Sequence, residues 1–379
     1  MIDLTDMRNR FEPDFLPPPG ATLKETIAEI GLNQVNLARR LGITAKHVNE
    51  IIKGKKAITP EMALKLEKVL SVPASFWNSL ECQYQEHRER GRVDREMEKH
   101  LDLLDRFPVR EMIKAGWIEP APPGVPLLQR LIRFFAVGET PQLRSCLAVP
   151  GVRFRKAPGF AGDAAAVAAW LRQGEIEAAR VETEPWNKRG FEDFLLAARG
   201  LTRRPRLEFM PRLIDGAAAC GVAVVLLPEI KGASLCGATR WLRPDKALVQ
   251  LSLRYRTSDH FWFSLFHEAG HILLHSKKQL FLEVEKMEGE KERAADEFAA
   301  RLLIPTRQFA AFAAADDFSR HAIETFAREI GIAPGIVLGR LQHQGLVPWK
   351  SSLNRDLKLR LDLESAVRLS RANGVPACS

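Results

Sequence analysis

Residues Phe261 to His275 read FWFSLFHEAGHILLH, and the rest of the chain is best understood from this stretch outward. Its centre, His267-Glu268-Ala269-Gly270-His271, is the pattern H-E-x-x-H. Histidines four apart share one face of a helix, about 6 Å from each other, so both imidazoles can reach one cation. Nitrogen donors of this kind suit zinc, which takes a tetrahedral set and keeps one position open for water when it is catalytic. Glu268 falls on the flank of the same face, where a carboxylate can act as general base toward a water polarised by the ion. The aromatic run before the motif buries the helix and keeps the site dry.

A tetrahedral site needs a third protein ligand, and the segment about twenty residues further on offers one. In Glu292-Arg293-Ala294-Ala295-Asp296 the first carboxylate can join His267 and His271 on the metal. Asp296 lies one helical turn later and can hold the N–H of a ligand histidine. His275 continues the four-residue spacing. Three histidines on one straight helix would crowd one side of an ion, so His275 is assigned a supporting role beside Asp296 rather than a ligand position. Glu297 is expected as a solvated charge, and His260, just before the helix, as a turn residue with substrate contact as its other role.

Upstream, GVAVVLL at Gly221 to Leu227 reads as a buried strand, and ALVQLSL at Ala247 to Leu253 alternates as a strand does. A substrate strand is expected antiparallel along the edge of the second. Arg240 is a candidate donor to an oxyanion, with a surface charge as the competing role. Helices are expected near Phe261 to His275 and Glu290 to Leu303. The alanine-rich patches Asp163 to Ala169 and Phe309 to Ala315 read as helix. Ala322 to Leu341 has the form helix, glycine, helix, for which packing is favoured over DNA docking because basic side chains are few.

The N-terminal part has a different pattern. NQVNLARRLGITAKHVNEIIK, from Asn33 to Lys53, reads as a helix from Gln34 to Leu41, a turn at Gly42, and a second helix from Ala45 to Ile52 capped by Thr44. Leu37, Ala38, Leu41, Ile43, Val48 and Ile51 fall where crossed helices bury them. That is a helix-turn-helix whose second helix fits a major groove. The candidate DNA contacts are Gln34, Thr44, Lys46, His47, Asn49, Lys53 and Lys55. His47 or Asn49 would read base edges and the lysines, Lys56 included, would meet phosphates. Between Asn33 and Lys68 eight Lys or Arg face three acids, so more than half of the net charge of +9 lies in under a tenth of the chain. This concentration favours a polyanionic partner.

Composition sets the outer limits. At 379 residues the chain has room for several cores, and 46% apolar with 27% charged residues is ordinary for a globular protein. The five cysteines are odd in number and none forms a C-x-x-C, so neither a disulfide framework nor a zinc ribbon is suggested and reduced, mostly buried thiols are expected. The start MIDLTDMRNR lacks a signal-peptide pattern and no apolar run is long enough to span a bilayer, so a cytoplasmic location without membrane contact is expected.

Two resemblances sharpen this reading. Thr22 to Tyr84, with NLARRLGIT, IIKGKKAITPEMALKLEKVL and SFWNSLECQYQ, resembles the HigA-type branch of the XRE helix-turn-helix family. That resemblance implies an antitoxin or repressor that binds double-stranded operator DNA, usually as a homodimer. Met210 to Gln342, with GVAVVLLP, GATRWL, KALVQLSLRY, FWFSLFHEAGHILLH, ERAADEFAARLLIP and IAPGIVLGRLQHQG, resembles the ImmA/IrrE metallopeptidases. It implies a gluzincin-like domain with one zinc ion on His267, His271 and Glu292, Glu268 as base, and a helix-turn-helix regulator or toxin–antitoxin partner as protein substrate. In many relatives of this family a second acid stands at the position of Ala294, and its absence here leaves the ligand set whole.

The whole chain resembles a fusion of the two families. The expected fold class is α+β, mostly α, with a flexible arm at 1–20, a helix-turn-helix domain at 21–90, a helical connecting domain at 91–209, the metallopeptidase domain at 210–350 and a polar, extended tail at 351–379. The expected function is a DNA-binding regulator fused to a zinc endopeptidase. The alternative is a non-proteolytic antitoxin or repressor whose zinc domain only binds or senses a partner.

Overall fold

The computed structural model describes residues 16–147, 163–252, 254, 256–277, 281–284 and 289–361. Most of the arm expected at 1–20 and the last part of the tail therefore lie outside the described residues. The chain divides into two compact units, Met1–His100 and Leu101–Ser379.

The described residues of the first unit form helices: α1 (Pro19–Glu29), α2 (Gln34–Leu41), α3 (Ala45–Ile52), α4 (Pro60–Leu70) and α5 (Ala74–Glu98). Its first helix starts at Pro19, inside the expected arm, because Pro18 and Pro19 preset the backbone for a first turn. The turn between α2 and α3 is made by Gly42 at φ 70°, a left-handed conformation that glycine adopts without a Cβ penalty. Asn33 Oδ1 accepts from Asn36 N at 2.8 Å to cap α2, and Thr44 Oγ1 accepts from His47 N at 3.2 Å to cap α3. Leu23, Leu37, Val48, Ile51, Leu66 and Trp77 form the core of this unit. The boundary expected at residue 90 falls inside α5, a helix that continues to Glu98 through exposed (i, i+3) and (i, i+4) pairs such as Arg90–Glu86 and Lys99–Glu96.

The second unit begins with α6 (Asp102–Arg106), α7 (Val109–Lys114), α8 (Val125–Phe135), α9 (Thr140–Ser145), α10 (Ala164–Arg180), α11 (Lys188–Ala198) and α12 (Arg206–Ala218). There follow β1 (Val222–Leu227), β2 (Leu235–Arg243), β3 (Lys246–Ser252), α13 (Ser258–Leu274), β4 (Phe281–Val284) and α14 (Glu290–Leu303). Then come α15 (Thr306–Ala314), α16 (Arg320–Ile330), α17 (Pro334–His343) and α18 (Leu353–Leu357).

Among the described residues the sheet has four strands in the order β1-β3-β2-β4. Strand β3 pairs parallel with β1 and antiparallel with β2, which pairs antiparallel with β4. Both faces of the sheet are covered, which is why VAVVLL and ALVQLS are nearly continuous apolar runs. On one face Val222, Val224, Val249 and Leu251 join Phe209 and Met210 of α12 and Trp262 and Phe266 of α13 in the main core. On the other face α10 packs, where Gln250 Nε2 donates to the Trp170 carbonyl at 2.6 Å. Gly174 permits this approach, since a Cβ there would run into the Gln250 amide.

Several expectations change here. The boundary expected at residue 209 falls inside α12, and α10 and α12 cover the sheet, so these parts of the expected connecting domain pack as one unit with the strands. Strand β3 is an inner strand, so no substrate can pair along it; among the described residues the outer strands are β1 and β4. The tail is not all extended: Leu357 and Leu361 join the core, and Leu361 N donates to the Arg256 carbonyl at 2.8 Å. Helix α17 packs against α13 with Val337, Leu338 and Leu341 fully buried, in keeping with packing rather than DNA docking.

Candidate metal centre

Helix α13 is buried along nearly its whole length, so its polar residues are placed by the core around them. His267, Glu268 and His271 are all nearly or fully shielded from solvent. Thr239 Oγ1 of β2 donates to the Glu268 carbonyl at 3.2 Å and fixes this turn of the helix against the sheet. Helix α14 lies against the other side. Gly270, the second x of H-E-x-x-H, makes that approach possible: a Cβ there would sit 3.1 Å from Phe298 Cδ1 and 3.3 Å from Ala295 Cα. The far end of α14 is held by Arg199, whose Nε donates to the Leu303 carbonyl at 2.9 Å while its Nη2 donates to the Ile330 carbonyl at 2.6 Å.

This packing brings Glu292, in the first turn of α14, to the two histidines. The Nε2 atoms of His267 and His271 are 3.0 Å apart, and Glu292 Oε2 is 3.2 Å from the first and 3.4 Å from the second. Donors bound to zinc at 2.0–2.2 Å in a tetrahedron are separated by about 3.3 Å. The residues present therefore fit one such ion. Asp296 Oδ1 lies 2.8 Å from His267 Nδ1, so the Nδ1–H donates to the carboxylate and Nε2 keeps its lone pair for the cation.

Electrostatics agree with the geometry. Burial pushes the Glu292 carboxyl up, but hydrogen bonds and charge from His267 and His271 in their protonated forms outweigh this and hold it at about 2; a cation takes the place of those protons when the imidazoles present lone pairs. Burial holds the His271 imidazole below the usual histidine range, against the pull of Glu292. Ring stacking on Phe281 of β4, 4.2 Å between centroids, fixes the His271 plane.

The remaining candidates are placed as follows. His275 lies just past the end of α13, which stops at Leu274; its Nε2 is 3.2 Å from the Lys291 carbonyl in the first turn of α14, and its ring centroid is 5.2 Å from that of His271. Arg240 is ion-paired with Glu175 of α10. Strand alternation sends it to the face opposite Thr239 and α13, so it is not an oxyanion donor. Burial, with Arg172 nearby, lowers its guanidinium to about 10. Glu297 is exposed, as expected. In the first unit Lys46, Lys53 and Lys55 are exposed, whereas Gln34, His47 and Asn49 are half-buried. Lys56 is tied to Glu50 at 3.1 Å, and that hydrogen bond lowers the Glu50 carboxyl. Thr239, Gly270, Phe281 and Arg199 were not singled out by the sequence. Only Gly270, a helix-disfavouring residue inside a motif, carries a local signal.

Comparison with known proteins adds the family. Residues 23–77 match the helix-turn-helix family, and residues 243–342 match the peptidase family described as an IrrE N-terminal-like domain. Virulence-associated protein A of Dichelobacter nodosus is 40% identical over 70 residues, 18% of this chain and 69% of that protein. The HTH-type transcriptional regulator YddM of Escherichia coli (strain K12) is 32% identical over 65 residues, 17% of this chain and 69% of that protein. A solved structure of Pseudomonas aeruginosa antitoxin HigA with the higBA promoter is 27% identical, covering 22% of this chain and 94% of that one, at a TM-score of 0.21. The chain spans between 60% and 69% of the curated relatives it matches. Its first unit belongs to the XRE-type helix-turn-helix family, and the chain joins it to a domain of the IrrE/ImmA peptidase family.

Proposed function

We propose that this protein is a DNA-binding regulator whose second unit is a zinc-dependent endopeptidase acting on one specific regulatory protein of the repressor or antitoxin type. The observation that carries the reading is the convergence of three lone-pair donors, His267 Nε2, His271 Nε2 and Glu292 Oε2, at the spacing of a tetrahedral zinc set. Three such lone pairs facing one point repel each other unless a proton or a metal cation lies between them.

A zinc ion in this site supplies Lewis acidity toward a water and a scissile carbonyl. The chain supplies the proton handling. Glu268, fully buried beside the ligands, takes the proton of the attacking water and passes it to the leaving amine. Asp296 keeps His267 in the tautomer that presents Nε2. Since β3 is internal, an extended substrate segment pairs with an outer strand. Strand β4 is the one whose Phe281 touches a ligand histidine, so the proposal places the substrate there. In the first unit α3 enters the major groove of double-stranded operator DNA, with Lys46, Lys53 and Lys55 on phosphates and His47 and Asn49 toward base edges. Gln34 and Thr44 lie at the N-terminal ends of the two helices, where backbone N–H groups favour phosphate.

The test is a proteome-wide comparison of cells carrying the native chain with cells carrying Glu268→Gln. Protein fragments present only with the native chain identify the substrate. Identical fragment profiles, with both proteins zinc-loaded, would reject the endopeptidase and leave a zinc-bearing binding module.

A further inference from the structure

Trp349 is 57% exposed, yet the loop that carries it is held by buried groups. Gln342 of α17, itself buried, donates from Nε2 to the Pro348 carbonyl at 3.1 Å and to Asn354 Oδ1 at 2.9 Å. Asn354 Nδ2 in turn donates to the Trp349 carbonyl at 2.7 Å. A large aromatic ring that is exposed but fixed in place loses little freedom when a partner covers it. Tryptophan is also among the residues most enriched where binding energy concentrates.

The ring stands between two cavities and lines both, together with His260. The first has a volume of about 460 Å³, and its apolar walls are Phe263 of α13, Leu303 and Ile304 at the end of α14, and Ile336 of α17. Its charged lining groups are of both signs, three carboxylates with Arg301 and Arg340, so they offset one another and the apolar walls decide what fits. This cavity adjoins the metal centre. One of its carboxylates is Asp296, which holds His267 Nδ1, and the Phe263 ring centroid is 6.3 Å from that of His267. The second cavity, about 870 Å³, is polar and has no acid among its described lining residues. Ser351, Ser352, Arg355 and Arg360 line it. Lys358 lines it too, but its charge is matched by Asp259 at 2.6 Å. Arg355 and Arg360 are exposed; the first has Asp356 at 3.6 Å, and the second has no ion pair among the described residues, so this cleft is left positive.

We infer that the two cavities form one recognition groove for an extended polypeptide segment with a bulky apolar residue and acidic residues close to it in sequence. The apolar side chain enters the first cavity, the segment crosses Trp349, and its carboxylates meet Arg355 and Arg360, whose planar forks suit them. A polypeptide is favoured over one small molecule because the two spaces together exceed the roughly 300–1,000 Å³ of a small-molecule site and differ in chemistry. It is favoured over DNA because the half of the groove beside the metal centre is apolar and holds three carboxylates, which a phosphate backbone does not match. The inference rests on the endopeptidase reading for its consequence, that this groove selects the substrate.

The test uses the full-length, zinc-loaded chain carrying Glu268→Gln, which keeps peptides intact. Fluorescence anisotropy follows binding of the labelled heptapeptide EEGFGEE, whose acids on both sides suit either chain direction. The expected result is saturable binding, at least about tenfold weaker for EEGGGEE, which lacks the ring, and for KKGFGKK, which reverses the charge. Trp349→Ala should weaken EEGFGEE about tenfold. Arg355→Glu with Arg360→Glu should invert the preference between the acidic and the lysine peptide. All three positions are exposed, so the melting temperature should stay near the native value. Equal affinity for the three peptides, native affinity in Trp349→Ala, displacement of the peptide by excess duplex DNA, or no binding at about 1 mM peptide would each overturn the inference. Binding is read without cleavage, so a chain that binds as expected but in its native form cuts no protein would uphold the groove and reject the endopeptidase alone.

Discussion

At the scale of single residues, the site separates into ligands, a base and an orienting group, and each has its own signature when removed. Glu268→Gln keeps the shape and hydrogen-bonding capacity of the side chain but not its basicity. Zinc content should therefore stay at the native level while cleavage of the identified substrate falls by about 10²–10⁴-fold. Asp296→Ala should instead lower zinc affinity by about 10–100-fold, read by competition with a chelating dye, because His267 loses the partner that fixes its tautomer. His260 offers a pH test away from the ligands. Burial first, and then Lys358, hold its imidazole below the usual value of 6.5, against the pull of Asp259. The folded chain thus refuses a proton that the unfolded chain accepts, and stability is lost as pH falls from above 6.5 toward the lowered folded value. His260→Asn should show a smaller drop in melting temperature between neutral and mildly acidic pH than the native chain. An equal drop would mean that His260 carries no such coupling.

At the scale of elements, the close contact of α13 and α14 is what assembles the centre. Gly270→Leu should push α14 away, costing about 1–3 kcal/mol in overpacking and weakening zinc binding although no ligand is changed. Circular dichroism with metal titration checks both effects. Much of this level was legible in the sequence. The four-residue spacing put His267 and His271 on one helix face, Glu292 came from a carboxylate on a later helix together with the family resemblance, and the helices Gln34–Leu41, Ala45–Ile52 and Glu290–Leu303 occur with those bounds, because caps and glycine turns are local signals. What was not legible depends on long-range pairing. Alternation identified β3 as a strand but could not tell that β1 and β2 flank it, so its expected edge is interior. Arg240 looked available until β2 alternation turned it toward Glu175, more than sixty residues earlier. His275 had the right spacing, but α13 ends just before it, and a residue past a helix end no longer shares the helix face. The polar composition of the tail gave no hint that Leu357 and Leu361 join the core.

At the scale of the whole molecule, two units with different chemistry share one chain. The first concentrates basic charge on a capped helix pair, and the second buries a carboxylate-and-imidazole cluster beside a sheet. Lys46→Ala with Lys53→Ala should weaken DNA binding at every sequence and reduce the slope of log affinity against log salt by about 2. Zinc content and cleavage should be untouched. Loss of both functions together would mean that the units do not fold independently. The alternative of a regulator that cuts nothing differs only at Glu268, since binding a partner needs no general base.

The claim on which everything else depends is that His267, His271 and Glu292 hold a single divalent ion with one position left free. Anomalous diffraction at the zinc edge from crystals of the zinc-loaded chain tests it most directly. The account predicts one strong peak per chain, about 2.0–2.2 Å from both Nε2 atoms and from the Glu292 carboxylate, with no fourth protein ligand. A peak elsewhere, a fourth side chain on the ion, or a chain that binds no metal at this point would contradict it.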